Sequence, residues 1–171
     1  PDRICVMGGL GKKLFSSCGY DLSNVMLSGS PRYDHVQLNK NLKTGHSLQL
    51  SKQKTLRVLV ATSLPAKTDF LLVATAVEAV KGMPHDSVSL RLRQHPYDRM
   101  EKLSGFSQIE PWLNLSKYTL DEDFSWADLV LISQSTVGEE AFLAGKQVWQ
   151  VRFPYPDQSA LAEVSGIPCF Y

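Results

Sequence analysis

The chain has 171 residues, a length that suits one domain of ordinary size. Hydrophobic residues make up 43%, enough to build a core and far from a disordered composition. Eighteen Lys and Arg against seventeen Asp and Glu leave a net charge of +1, which gives no electrostatic reason to expect nucleic acid as a partner.

No run of about 18 apolar residues occurs, so no membrane span is expected. Pro1-Asp2-Arg3 does not open a signal peptide. The three cysteines, Cys5, Cys18 and Cys169, are widely spaced and form no C-x-x-C pair. That argues against a disulfide framework or a zinc site and for buried free thiols in a reducing compartment. The cytoplasm is the expected location, and no metal site is expected.

In chain order, Ile4 to Met7 reads as a short strand. Gly8-Gly9-Leu10-Gly11 follows, then a helix over Lys12 to Ser17 that Gly19 ends. Val25 to Ser28 is a second strand, stopped by Gly29-Ser30-Pro31. The polar stretch from Asn39 to Lys54 reads as a mobile connection. Leu56 to Ala61 is a strong strand. Asp69 to Lys81 carries Phe70, Leu71, Val73, Ala74, Val77 and Val80 at the spacing of an apolar helix face, closed by Gly82 and Pro84. Val88 to Arg93 is a strand, and Tyr97 to Leu103 a short helix. Phe106 to Leu115 is ambiguous. Leu120 to Trp126 is a short acidic helix. Asp128 to Ile132 is a buried strand, and a helix opens beside Ser133-Gln134-Ser135-Thr136 and stops at Gly145. Gln147 to Val151 is a strand, Ser159 to Ser165 a helix and Ile167 to Tyr171 a last short strand.

From residue 56 onward strands and helices alternate. The expected fold class is therefore α/β, a parallel sheet with helices on both faces. Ligands of such sheets sit at the carboxyl ends of the strands. Four loops should line a site there: Thr62 to Pro65, Gln94 to Pro96, Ser133 to Thr136 and Arg152 to Pro154.

Each signal in these loops also has a plain reading. The Ser133, Ser135 and Thr136 hydroxyls can cap a helix, but capping needs only one. Three of them beside the unpaired N–H groups of a helix start suggest an anion site, with phosphate the expected anion. Glu140, one turn into that helix, suits the helix dipole and would also suit a ribose diol. His95, at the end of a strand, is either a solvated loop side chain or a group for phosphate, base or acid/base work. Gly29, Ser30 and Arg32 lie in a dense turn that is either a simple reversal or a close approach to an anion. Gly8 to Gly11 does not fit G-x-G-x-x-G and lacks the acidic residue of a dinucleotide unit.

Taken together and in this order, these pieces resemble a known family. Ala127 to Val148 is similar to the nucleotide-binding motif of the C-terminal domain of GT-B glycosyltransferases. The form Ser-x-Ser-Thr-Val-Gly, then Glu-Ala, then Ala-Gly-Lys resembles bacterial surface-polysaccharide enzymes such as CDP-glycerol glycerophosphotransferases and polysialyltransferase-like capsule enzymes. UDP-N-acetylglucosamine 2-epimerases are a more distant match. Cys18 to Asp34 resembles the stretch joining the two domains of such enzymes, and His95-Pro96 their His-Pro motif.

The resemblance implies a Rossmann-like half of a GT-B fold. It implies a metal-independent transferase domain with no cofactor beyond its substrate, a CMP-, CDP- or UDP-linked sugar or glycerol. By position, Ser135 and Thr136 would bind the donor phosphates, His95 would contact nucleotide or phosphate and Glu140 would bind the ribose; Ser133 counts with that loop as a binding residue, and His95 as the catalytic one, stabilising the leaving phosphate with the helix start at Thr136. Gly29, Ser30 and Arg32 would line the interdomain cleft. Residues 1–38 would be the tail of a preceding domain or an interdomain segment, 39–54 the connection and 55–171 the donor-binding domain. The acceptor-binding N-terminal domain would then be missing, leaving this piece inactive alone, and the full-length enzyme would associate peripherally with a membrane. The alternatives are an epimerase-like domain and a non-catalytic nucleotide-binding module.

Overall fold

The computed structural model describes residues 3–34, 36, 55–153 and 168–170. The chain divides into two compact units, Pro1–Gln37 and Leu38–Tyr171.

In the first unit, β1 (Ile4–Val6) and β2 (Val25–Leu27) pair in parallel with Val6 opposite Leu27, joined through α1 (Gly9–Ser17). The helix begins three residues earlier than its sequence pattern suggests, because the glycine run forms its first turn. A Cβ on Gly11 would stand 3.1 Å from Val6 Cβ, so this glycine lets α1 lie close on β1. Cys5 and Cys18 are free but exposed, against the expectation of buried thiols. Cys5 alternates with the buried Val6 on a two-stranded sheet, and Cys18 caps the exposed end of α1.

The second unit is a six-stranded, wholly parallel sheet. Its strands are β3 (Leu56–Ala61), β4 (Val88–Arg93), β5 (Leu113–Leu115), β6 (Leu129–Ile132), β7 (Gln147–Val151) and β8 (Cys169–Phe170). Across the sheet they run β5-β4-β3-β6-β7-β8. Side chains alternate between two cores, as a sheet covered on both faces requires. Val58, Val60, Leu90, Leu92 and Leu129 meet α2 (Ala66–Lys81) through Leu72, Val73, Ala76 and Val77. Leu59, Ala61, Val130, Ile132 and Val148 meet Phe124 of α4 (Leu120–Trp126) and Ala141 of α5 (Val137–Leu143). The expected α/β class, a Rossmann-like parallel sheet with helices on both faces, is the observed one.

Three expected boundaries move. Helix α2 starts at Ala66 rather than Asp69, because the Asp98 carboxylate accepts a hydrogen bond from the Ala66 N–H at 2.7 Å and so caps the first turn from another loop. Tyr97 to Leu103 contains only a single 3₁₀ turn, Met100–Lys102. The ambiguous stretch resolves into α3 (Phe106–Ile109), a 3₁₀ turn and the edge strand β5. The expected connection over 39–54 and helix over 159–165 lie outside the described residues.

Two ion-pair systems fasten the sheet. At the amino edge, Arg57 forms a fork on Asp128, with Nε and a terminal nitrogen at 3.1 and 2.8 Å, and donates its N–H to the same carboxylate. These bonds hold the Asp128 carboxyl below the usual carboxylate range. On the α4 face, the fully buried Asp123 accepts from Arg91, Arg93 and Ser116 at 3.1, 2.8 and 2.6 Å. The Arg91 guanidinium lies over the Trp126 ring at 3.9 Å and the Tyr118 ring at 4.5 Å. Among the described residues no helix is long and apolar enough to cross a membrane.

Candidate functional site

Numbered within its own unit, the sheet has the order 3-2-1-4-5-6. The chain leaves the central strand β3 toward β4 and β5 on one side, and later leaves β6 toward β7 and β8 on the other. The loop after β3 feeds α2 on one face, while the loop after β6 feeds α5 on the opposite face. The two loops therefore diverge at the carboxyl edge between adjacent strands. This is the switch point at which doubly wound sheets take ligands.

The residues around it form a connected polar network. Asp69, in the first turn of α2, is only 1% exposed. One of its carboxylate oxygens accepts from the Ser63 N–H and from the Ser63 hydroxyl, the latter at 2.9 Å. The other accepts from the Ser133 hydroxyl. The buried Gln150 on β7 donates to the Ser133 carbonyl at 2.7 Å. The Ser135 hydroxyl donates to the Thr62 carbonyl at 3.2 Å and accepts from the Val137 N–H at 3.3 Å. The Thr62 hydroxyl accepts from the His95 N–H at 3.1 Å. Bonds thus run from β7 through the loops after β6 and β3 to the loop after β4. Such burial of polar atoms is tolerable because they are paired.

The structure brings most of the expected residues to this edge in different environments. Ser133 and Ser135 are buried, and their hydroxyls hold the neighbouring loop. Thr136 is exposed at the start of α5, and Glu140 is buried one turn further on. His95 is half-buried, and its Nδ1 accepts from the Tyr97 N–H at 3.4 Å. With Nδ1 accepting, the ring turns Nε2 outward as its N–H donor. The Tyr97 ring lies 5.7 Å from the imidazole and is 89% exposed. Gly29, Ser30 and Arg32 belong to the first unit. Gly29 takes the left-handed backbone at φ +70°, Ser30 precedes a 3₁₀ turn, and Arg32 lies 5.9 Å from the Tyr33 ring centre.

The sequence places Thr62 in a site-lining loop but gives no sign that Asp69 or Gln150 belongs to the network. A polar Thr-Ser pair directly after a strong apolar strand was the available signal for Thr62. Asp69 looks like an ordinary acidic residue near a helix start. Among the described residues, no group of three or more His, Cys, Asp or Glu side chains could hold a metal ion.

No family model and no curated protein matches the chain. Solved structures do. One is KpsC of Thermosulfurimonas dismutans, a beta Kdo 2,7 transferase, at 17% identity and a TM-score of 0.50, over 71% of this chain and 40% of that one. Another is TarM, at 16% identity and a TM-score of 0.60, over 99% of this chain and 33% of that one. The chain spans about two fifths of the first and a third of the second. The likeness is one of fold, a Rossmann-like sheet of the kind that forms one half of a GT-B architecture.

Proposed function

We infer that this chain holds a nucleotide-activated donor at the carboxyl edge between β3 and β6, as the donor-binding half of a transferase in surface-polysaccharide synthesis. The observation that carries the reading is the tied network of strand-end loops at the switch point, with His95 and Thr136 at its margin. The fold likeness to a Kdo transferase favours transfer of a sugar, with a glycerophosphate as the kindred alternative cargo.

In this reading the reaction is a direct displacement at the activated carbon or phosphorus of the donor, with no metal. Negative charge grows on the departing phosphate, and donors already in place stabilise it without reorganising. The His95 Nε2–H and the Thr136 hydroxyl are the groups suited to that charge. The Glu140 carboxylate would accept the ribose hydroxyls. Ser133 and Ser135 act through the loop they hold. The acceptor would be supplied by a further domain of a longer, cytoplasmic enzyme.

The test is an NMR titration with CMP, CDP and UDP. Amide shifts should move at His95, Thr136 and their loop neighbours. If no nucleotide perturbs them at about 1 mM, an affinity near −4 kcal/mol, the reading fails.

A further inference from the structure

We propose that Asp69 is the positioning residue of this site, a buried bridge that sets the spacing between the loop after β3 and the loop after β6. The proposal rests on the nucleotide-donor reading above and adds the residue on which the shape of the site depends.

Its role as a helix cap does not account for what it does. A cap in α2 needs one acceptor facing the local N–H groups. Asp69 lies inside α2 and accepts from no helix N–H; one of its oxygens serves Ser63, in the loop before the helix, while Asp98 caps the Ala66 N–H. The second oxygen reaches a different loop, accepting from Ser133, which lies 64 positions away in sequence. The carboxylate is almost wholly withdrawn from water. An ionised group in that position is costly unless donors surround it, and these donors come from two loops that diverge to opposite faces of the sheet. Ser133 is in turn fixed from behind by Gln150. Asp69 thereby joins the loops after β3 and β6, and Gln150 ties β7 to the second of them. Thr136 follows Ser133 by three residues, and Thr62, which receives the His95 N–H, precedes Ser63. A shift of either loop would therefore change the distance between the two groups offered to a phosphate.

The substitutions separate bridging from bulk. Asp69→Ala removes both bonds. Asp69→Asn keeps an oxygen for the Ser63 N–H and turns its amide nitrogen toward the Ser133 hydroxyl, which can accept. Asp69→Ala should weaken CDP binding about tenfold, the size expected when buried donors lose their acceptor. Asp69→Asn should restore it to within about threefold. In Asp69→Asn combined with Ser133→Ala, the Ser63 bond survives and only the cross-loop bridge is lost. Binding should again fall about tenfold.

Wild-type affinity in a folded Asp69→Ala would overturn the proposal. Should that variant not fold, wild-type affinity in the combined variant overturns it equally. A wild-type chain that shows no response to CDP would sink the nucleotide reading. The bridge is then judged from amide hydrogen exchange alone. Acceleration of about tenfold across Thr62 to Leu64 in Ser133→Ala upholds it, and unchanged exchange overturns it.

Discussion

Replacing Asp123 with alanine should remove the fastening of α4 to the sheet. The carboxylate is fully buried and accepts three bonds, from Arg91 at 3.1 Å, Arg93 at 2.8 Å and Ser116 at 2.6 Å. Hydrogen bonds to a charged group are worth about 1.5–3 kcal/mol each. They do not add fully, because all three share one carboxylate. The arginines also keep some access to water, with side chains 13% and 28% exposed, and so recover part of their hydration when the acceptor is lost. Arg91 in addition keeps its aromatic faces. The expected loss is about 3–4 kcal/mol, within the range for breaking a buried pair. Against a total of about 5–15 kcal/mol for a domain, this is severe but measurable. Urea unfolding followed by tryptophan fluorescence is suited to it, since Trp126 lies against Arg91. The midpoint should fall with the slope unchanged. Asp121→Ala, on the exposed side of the same helix, should stay within about 0.5 kcal/mol. A loss below about 1 kcal/mol in Asp123→Ala would refute the account, because the arginines would then be satisfied without their buried partner.

Three other outcomes follow from single contacts. Asp128 has its carboxyl held low by Arg57, so it contributes stability above the unfolded value of about 3.9 and loses it as pH falls through the folded value. Asp128→Asn should therefore flatten the acid limb of a stability-versus-pH curve, and an unchanged limb would contradict the pairing. Gly105→Ala should cost about 1–2 kcal/mol in a thermal melt, since Gly105 sits at φ +91° while its added Cβ would meet Phe70 only at an ordinary 3.4 Å. An unaltered melt would show that the turn relaxes. Asp98→Ala should lower stability by about 1 kcal/mol and speed exchange of the Ala66 amide, whose carboxylate partner it removes. Wild-type exchange there would contradict the role of Asp98 as the cap.

What the sequence revealed was what neighbouring residues decide among themselves. The strands Leu56–Ala61, Val88–Arg93 and Gln147–Val151 announce themselves, and the stripe of α2 was legible in Val73 and Val77, but the structure buries Leu72 and Ala76 and leaves the expected Leu71 41% exposed. The start of α2 was not legible, because its cap is Asp98, from a loop 32 positions away. The hydroxyls of Ser133 to Thr136 were legible as a polar loop at a strand end. Which way each one turns was not. Ser133 faces inward because Asp69 waits for it, and Ser135 because the Thr62 carbonyl does. Cys5 failed for a related reason. An apolar strand context predicts burial, but β1 lies in a two-stranded sheet, where alternate residues have little to cover them.

The placement of charge at the switch point constrains where a phosphate can go. In doubly wound sheets the first strand-to-helix turn commonly receives a pyrophosphate, because glycines allow close approach and the helix start offers unpaired N–H groups. Here that turn is Thr62-Ser63-Leu64-Pro65, without glycine, and two of the donors at its helix start are already taken. The Ser63 N–H is bonded to Asp69 and the Ala66 N–H to Asp98. Two carboxylates, Asp69 in the first turn of α2 and Asp98 from the loop after β4, therefore stand at the start of that helix. An incoming phosphate would find like charge and occupied donors, a combination that costs binding twice. The missing dinucleotide fingerprint after β3 is thus a physical property of the fold as well as an absent motif. On the proposed reading, a nucleotide held at this edge would be directed away from α2, toward the loops after β4 and β6 that carry His95 and Thr136.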